Sequence, residues 1–315
     1  MRTPRNWNLY NQTLVNRGKT STYLKEALQN QKTDLSVMNR DKVGKPYEYS
    51  NVFIIAGFAV KTVNKIGYRQ AAGNIEDYLT LNGINDYPDF RTIQWRVQQL
   101  EKEGIKFMIK RSTEDEEEII DVIIDSTGVR SRRDGEYRSK MYRNKKRWKQ
   151  IHIVISKKTR KILNIKVTRD HAGDPNQFIP LMKPIVKRRT VNSANADGAY
   201  GSEKNFKFCD ENNIESIIPV HINHVGTTGR HHRKRVVEQL GVIRKPGKYR
   251  QPTKEQKRRN LEKWKDKSGY HDRSIIEGVI SVFKGVFDES VFSKKKDMIE
   301  KELLLKAFIY NTFVV

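Results

Sequence analysis

Residues 121–125 read DVIID, a short apolar run closed by an acid, and Ser126-Thr127-Gly128 follow as turn residues. A run of this length with no polar alternation reads as a strand buried on both faces. Working outward from it, IHIVIS (151–156) and ILNIKVTRD (162–170) complete a meander. Pro175 opens a helical stretch to about Lys187, VNSANAD (191–197) reads as a fourth strand, residues 202–212 as a helix, and IESIIPV (214–220) as a fifth strand. The order βββαβαβ is an α/β plan, a mixed five-stranded sheet flanked by helices.

Towards the amino terminus the pattern is helical. NVFIIAGFAVKTVNKIG (51–67) is apolar at helical spacing, a second helix follows over 68–81, and FRTIQWRVQQLEKE (90–103) reads as a third after the Asp86-Tyr87-Pro88 break. Residues 1–110 are therefore expected to be an all-α module and 111–315 a separate α/β domain. Arg91, Trp95 and Arg96 on the third helix suggest a helix-turn-helix; a helical cap on the larger domain is the competing reading. Beyond the fifth strand, residues 221–268 read as a basic insertion or long loop, before a helical region from about Tyr270 and an amphipathic helix over 296–312.

The charge balance narrows the partner. Lys and Arg number 62 against 37 acids, a formal +25, and two segments hold most of the excess: 130–149 at net +8 and 221–268 at net +11. Such an excess implies a polyanion. No apolar run approaches the roughly 20 residues of a membrane helix, so nucleic acid is favoured over a membrane surface. The single cysteine, Cys209, excludes a disulfide framework and a cysteine zinc cluster and fits a reducing compartment. The amino terminus has no secretory apolar stretch, and a cytoplasmic location is expected.

Asp125 and Asp197 close two strands, and open α/β sheets place ligands at the carboxyl ends of strands. If those strands are neighbours, the two carboxylates face a gap suited to hard cations; an ordinary strand-end turn is the alternative for each. Tyr270, Arg273, Glu277 and Lys284, at offsets of 0, 3, 7 and 14, fall within about 60° on a helix of about 3.6 residues per turn, with Ile275, Ile276, Val279, Val282, Phe283 and Val286 opposite. The same segment also fits a capping box, Ser274-x-x-Glu277, which would start the helix at Ser274 and leave Tyr270 and Arg273 outside it.

The spacing Tyr270-x2-Arg273-x3-Glu277-x6-Lys284, with DSTG at 125–128 and ADGAYGS at 196–202, resembles the signature of the DDE-type insertion-sequence transposases of bacteria and archaea, and the resemblance covers roughly residues 40 to 312. It implies a ribonuclease H-like catalytic domain in which Asp125, Asp197 and Glu277 hold two Mg²⁺ ions, for which Mn²⁺ can substitute. Tyr270, Arg273 and Lys284 would touch the DNA end, and the amino-terminal helices would recognise it. The implied substrates are double-stranded DNA with terminal inverted repeats and a target duplex, handled by a homodimer at the nucleoid. The departure from the family is the segment 221–268, short and basic where relatives carry a large strand-rich insertion.

Further candidate DNA contacts are Arg143, Lys145 and Arg147 in the first basic run and Arg233 and Arg235 in the second. Trp264 and Tyr249 are candidates to stack on an unpaired base, and His221, His224, His231 and His232 offer a zinc alternative. Two rivals share the fold: a nuclease that cuts without strand transfer, and a domesticated DNA-binding protein that no longer cuts.

Overall fold

Strand β1 (Ile119–Ser131) is the axis of the sheet, paired on one side with antiparallel β2 (Trp148–Ser156) and on the other with parallel β4 (Thr190–Ala196). Flanked on both edges, its run Val122-Ile123-Ile124 is wholly buried, which is why it carries no alternation. β3 (Ile162–Arg169) extends the sheet antiparallel to β2, and β5 (Glu215–Ile217) extends it parallel to β4. The resulting order β3-β2-β1-β4-β5 is the ribonuclease H-like arrangement. The computed structural model describes residues 7–131, 148–169, 173–223, 229–245, 248–250 and 252–314. Its contacts group the chain into two units, Thr113–Val282 and a second made of Met1–Ser112 with Phe283–Val315.

In the sheet unit, α8 (Pro175–Val186) begins with proline in its first turn, where the missing N–H costs nothing. It buries Phe178, Leu181, Met182 and Ile185, one helical stripe, and contacts β2, β3 and β4. Ser202 caps α9 (Glu203–Glu211) by accepting from the Asn205 N–H.

The stretch read as a loop after β5 is mostly regular: α10 (Arg230–Leu240), a hairpin of β6 (Ile243–Lys245) and β7 (Lys248–Arg250), and α11 (Lys254–Ser268). The Glu203 carboxylate caps α10 by accepting from His231 N at 3.2 Å and His232 N at 2.7 Å. The buried stripe of α10 is His232, Arg235, Val236, Gln239 and Leu240. Three of those five are polar, so no apolar periodicity could reveal this helix. α11 carries the reciprocal Thr253/Gln256 capping box and ends at Gly269, whose φ of 70° is the left-handed geometry that favours glycine.

The helical unit contains α1 (Trp7–Gly18), α2 (Thr20–Gln29), α3 (Gln31–Asn39), α4 (Asn51–Val63), α5 (Tyr68–Leu81), α6 (Phe90–Gln99) and α7 (Lys102–Arg111). α13 (Lys296–Ile309) belongs to it as well. The nearly all-buried α4 packs against α5 and α6, which also pack on each other. The single helix expected over 90–103 is two: Leu100 turns extended (ψ 131°) and its side chain is buried. Arg96, one of the three residues that suggested a helix-turn-helix, is 4% exposed. Its guanidinium donates to Tyr49 O and Asn51 Oδ1 and lies 4.0 Å from the Tyr47 ring centroid, so it holds α6 to the start of α4 and the segment before it. Among the described residues no helix is long and apolar enough to cross a membrane.

Candidate active site

Ile124 of β1 pairs with Ala196 of β4 in parallel register, so Asp125 and Asp197 are the next residues on neighbouring strands. Strands about 4.8 Å apart bring these two backbones side by side. The Asp125 carboxylate is partly buried and accepts the Ser126 N–H at 2.8 Å; Asp197 is exposed where the chain leaves β4. Gly198 allows a close approach there: a Cβ would stand 3.0 Å from Pro219 O.

The third acid arrives through α11. After the Gly269 turn, Tyr270–Arg273 form a 3-10 turn, and α12 runs from Ser274 to Phe287. The α-helix therefore starts where the capping-box alternative placed it, and Tyr270 and Arg273 precede it. Asn195 in β4 anchors the turn by donating to Tyr270 O at 3.2 Å. Ile276, Val279, Phe283 and Phe287 form the buried stripe of α12, and Glu277 stands on its open side at 58% side-chain exposure. Lys284, half-buried, follows Glu277 by seven residues, about 340° around the axis.

Arg273 joins the parts. Its guanidinium donates to Asp125 Oδ2 at 2.8 Å and, through its other terminal nitrogen, to Glu277 Oε1 at 2.9 Å. Burial pushes the Asp125 carboxyl up, opposed by the Ser126 N–H and Arg273 and reinforced by the charges of Asp197 and Glu277. Burial works against the Arg273 charge, but Asp125, Tyr270, Asp197 and Glu277 outweigh it and hold that pKa above normal. Burial likewise pushes the Tyr270 phenol up. Asp125, Asp197, Tyr270, Arg273 and Glu277 thus share one electrostatic neighbourhood, with a cation lying between two of the three acids. Among the described residues no three acidic, histidine or cysteine side chains are arranged as a metal cage. The donor set itself is all carboxylate, the chemistry that suits Mg²⁺ or Mn²⁺.

The other candidates are placed less uniformly. Arg143, Lys145 and Arg147 lie outside the described residues, as does His224. Arg235 is turned inward, donating to Asp210 Oδ1 at 2.6 Å and Ser216 Oγ at 2.8 Å, and Arg233 is half-buried. Tyr249 falls in β7. Trp264 is half-buried, its ring centroid 6.4 Å from that of Tyr270, and it borders a cleft of about 720 Å³ with Arg230, His231 and Lys234. His231 is paired with Asp210 at 2.6 Å, and His232 packs on Phe206.

Sequence reasoning missed a polar layer beside Asp125. Gln150 donates to Ser126 Oγ at 3.0 Å and Asp174 Oδ1 at 2.9 Å. His152, fully buried and kept neutral by burial, lies 3.3 Å from Tyr200 Oη and 3.0 Å from Thr168 Oγ1. The signal was the polar residue inside IHIVIS, opposite Ser126 in the register.

Two family profiles described as "Transposase DDE domain" match this chain, one over residues 116–312 and the other over 15–133. Among solved structures, the Drosophila P element transposase strand transfer complex aligns with 91% of this chain and 70% of its own at 11% identity and a TM-score of 0.34, a likeness too distant to bear on mechanism.

Proposed function

This chain belongs to the DDE transposase family, and on that premise we propose that it cuts DNA at the ends of a mobile element and joins the freed 3′-hydroxyl to target DNA with Asp125, Asp197 and Glu277 as its acidic triad. The observation that carries the reading is the Arg273 bridge from Asp125 to Glu277, beside Asp197 at the ends of two parallel strands. It draws acids 152 residues apart in sequence into one site.

Phosphodiesters resist attack because they are anionic, so a catalyst must supply positive charge and a nucleophile. Two divalent ions held by Asp125, Asp197 and Glu277 would, when bound, supply nucleophile activation and stabilise the leaving oxygen. The residues of the chain do the positioning. Arg273, whose planar guanidinium bridges Asp125 and Glu277, is placed to receive a backbone phosphate. Tyr270, its phenol kept protonated, can donate to a phosphate oxygen, and Lys284 extends the cationic track along α12. Asn195 and the Gln150–Asp174 layer keep the two strand ends and the Tyr270 turn in place. Two element ends processed together call for two copies of the chain.

The test is incubation of the purified protein and a divalent cation with DNA carrying the element's terminal repeats and a target plasmid. Joined products are expected. Cleavage alone would make the protein a nuclease, and retardation alone a binding protein.

A further inference from the structure

Asp125 and Asp197 stand just past the ladder that pairs their strands. The parallel register of β1 and β4 ends at Ile124 and Ala196, so the spacing of the two acids depends on what lies beyond it. Asp197 opens a 3-10 turn, Gly198–Tyr200, whose last residue donates its N–H back to Asp197 O at 2.9 Å. Asn205 holds the turn by donating to Tyr200 O at 2.8 Å and to Pro175 O at 2.9 Å. Side chains alternate along β1, so Ser126 faces away from Asp125, towards the core that buries Ile124, Val154 and Tyr200. Ser126 and Tyr200 therefore stand behind the two acids, one on each segment that carries an acid.

Their hydroxyls belong to a closed ring of hydrogen bonds. Gln150 Nε2 donates to Ser126 Oγ at 3.0 Å and to Asp174 Oδ1 at 2.9 Å. Thr168 spends its hydrogen on Gln150 O at 3.4 Å, so its oxygen accepts from His152 Nε2–H at 3.0 Å. That leaves Nδ1 of the neutral His152 to accept from Tyr200 Oη–H at 3.3 Å. Ser126, its oxygen already accepting from Gln150, hydrogen-bonds to the Tyr200 phenol and closes the circuit. Asp174 Oδ1, 3.4 Å from His152 Nδ1, takes its hydrogen from Gln150 instead. Burial pushes the Tyr200 phenol up, and the charges of Asp174, Asp125 and Asp197 add to it, so the hydroxyl stays a donor. His152 and Tyr200 are 0% and 1% exposed, so bulk water does not replace a partner lost there.

We propose that Tyr200 is a positioning residue for the reaction: through Ser126 and His152 its hydroxyl ties the Asp197 turn to β1 and β2 and sets the gap between the Asp125 and Asp197 carboxylates. This role rests on the reading of those acids as metal-holding groups and adds what spaces them. Carboxylates that share a small divalent cation need a fixed separation, because such ions accept little change in ligand distance. The Ser126 N–H donates to Asp125 Oδ1 at 2.8 Å, and Tyr200 N–H to Asp197 O, so a shift at either hydroxyl passes directly to an acid. A ring in which every hydrogen runs the same way round has one arrangement of its hydroxyls. Loss of a single member leaves its neighbours unpaired in the core and frees the two segments to move apart.

The test sets Mn²⁺ binding by the DNA-free full chain, followed by water proton relaxation, beside cleavage by the same proteins. Tyr200→Phe removes the hydroxyl and keeps the buried ring. It should weaken Mn²⁺ binding and slow cleavage by roughly tenfold to hundredfold each, at unchanged KM for DNA. Ser126→Ala, the smaller change, should show matching losses, and Ser126→Ala/Tyr200→Phe should lose no more than either alone, because all three break one link. A purely structural role would instead lower the denaturant midpoint and leave the Mn²⁺ affinity of the folded protein at the wild-type value. That result, or losses that multiply in the double variant, overturns the proposal, while loss of Mn²⁺ binding in Asp125→Asn keeps the triad standing. If Asp125→Asn binds Mn²⁺ as wild type does, both readings fall.

Discussion

The pairs Lys306–Glu302 and Arg273–Glu277 each set a cation and a carboxylate four residues apart, at nearly equal distances and in opposite surroundings. Lys306 and Glu302 lie 3.0 Å apart with side chains 1% and 2% exposed; Arg273 and Glu277 lie 2.9 Å apart with side chains 23% and 58% exposed. Every strong acceptor of Glu302 is used: Oε1 takes Phe292 N–H and Lys306, and Oε2 takes Ser293 N–H. Lys306 also donates to Ser290 O. A buried pair satisfied in this way is a fixed clasp, since releasing either member strands a charge away from water. Glu277 has one partner and otherwise faces solvent, so its oxygens can change partners at little cost. The difference separates a carboxylate committed to the fold from one available for chemistry.

That contrast predicts a double dissociation. Glu277→Gln should remove several kcal/mol of transition-state stabilisation, on the order of a thousandfold or more in cleavage rate, while stability stays within about 0.5 kcal/mol. A variant that cuts at the wild-type rate would sink the triad. Glu302→Ala should instead cost about 3–5 kcal/mol of stability by stranding Lys306, and the double variant Glu302→Ala/Lys306→Met should recover most of it. Denaturant midpoints measure both; equal losses in the single and double variants would mean that the pair is not the clasp described.

The same contrast explains what could be read before any coordinates. The sheet was legible because Val122-Ile123-Ile124 is buried on both faces and needs no partner to announce itself. The family was legible in side chains at fixed spacing around Tyr270, Arg273, Glu277 and Lys284. What stayed hidden depends on partners distant in sequence. Arg96 looks like any exposed cation until Tyr47, Tyr49 and Asn51 close around it. α10 hides behind a polar buried stripe, since Arg235 and Gln239 are satisfied by Asp210, Ser216, Ile218 and Val220. The break at Leu100 answers to burial of its side chain and leaves no trace in local propensity.

A smaller effect sharpens the comparison from the cation side. Arg273 and a divalent ion draw on the same two carboxylates, so removing the guanidinium should help the DNA-free protein bind metal. A partly exposed pair contributes about 1 kcal/mol or less, so Arg273→Ala should bind Mn²⁺ roughly twofold to fivefold more tightly by water proton relaxation. Cleavage should still fall, because a phosphate contact is lost with the same side chain. Weaker Mn²⁺ binding would show that Arg273 organises the carboxylates for metal instead of competing for them.

The pH dependence of stability should carry opposite signs at the two places. Although burial opposes it, Lys306 and the surrounding donors hold the Glu302 pKa below normal. Its contribution is therefore complete above the unfolded value, about 4.3, and is lost as the pH falls through the folded one. Burial raises that of Asp125, so the folded state binds the proton more tightly than the unfolded chain does. The cost of ionised Asp125 is then present at neutral pH and relieved as the pH falls through the folded pKa towards about 3.9. Denaturant midpoints followed from pH 7 into the acid range should show Glu302→Gln losing less stability than wild type on acidification and Asp125→Asn gaining less. Parallel curves for wild type and Asp125→Asn would mean that the strand-end acid is not strained by its surroundings, and the distinction between a carboxylate stabilised by the fold and one held against its preference would go with it.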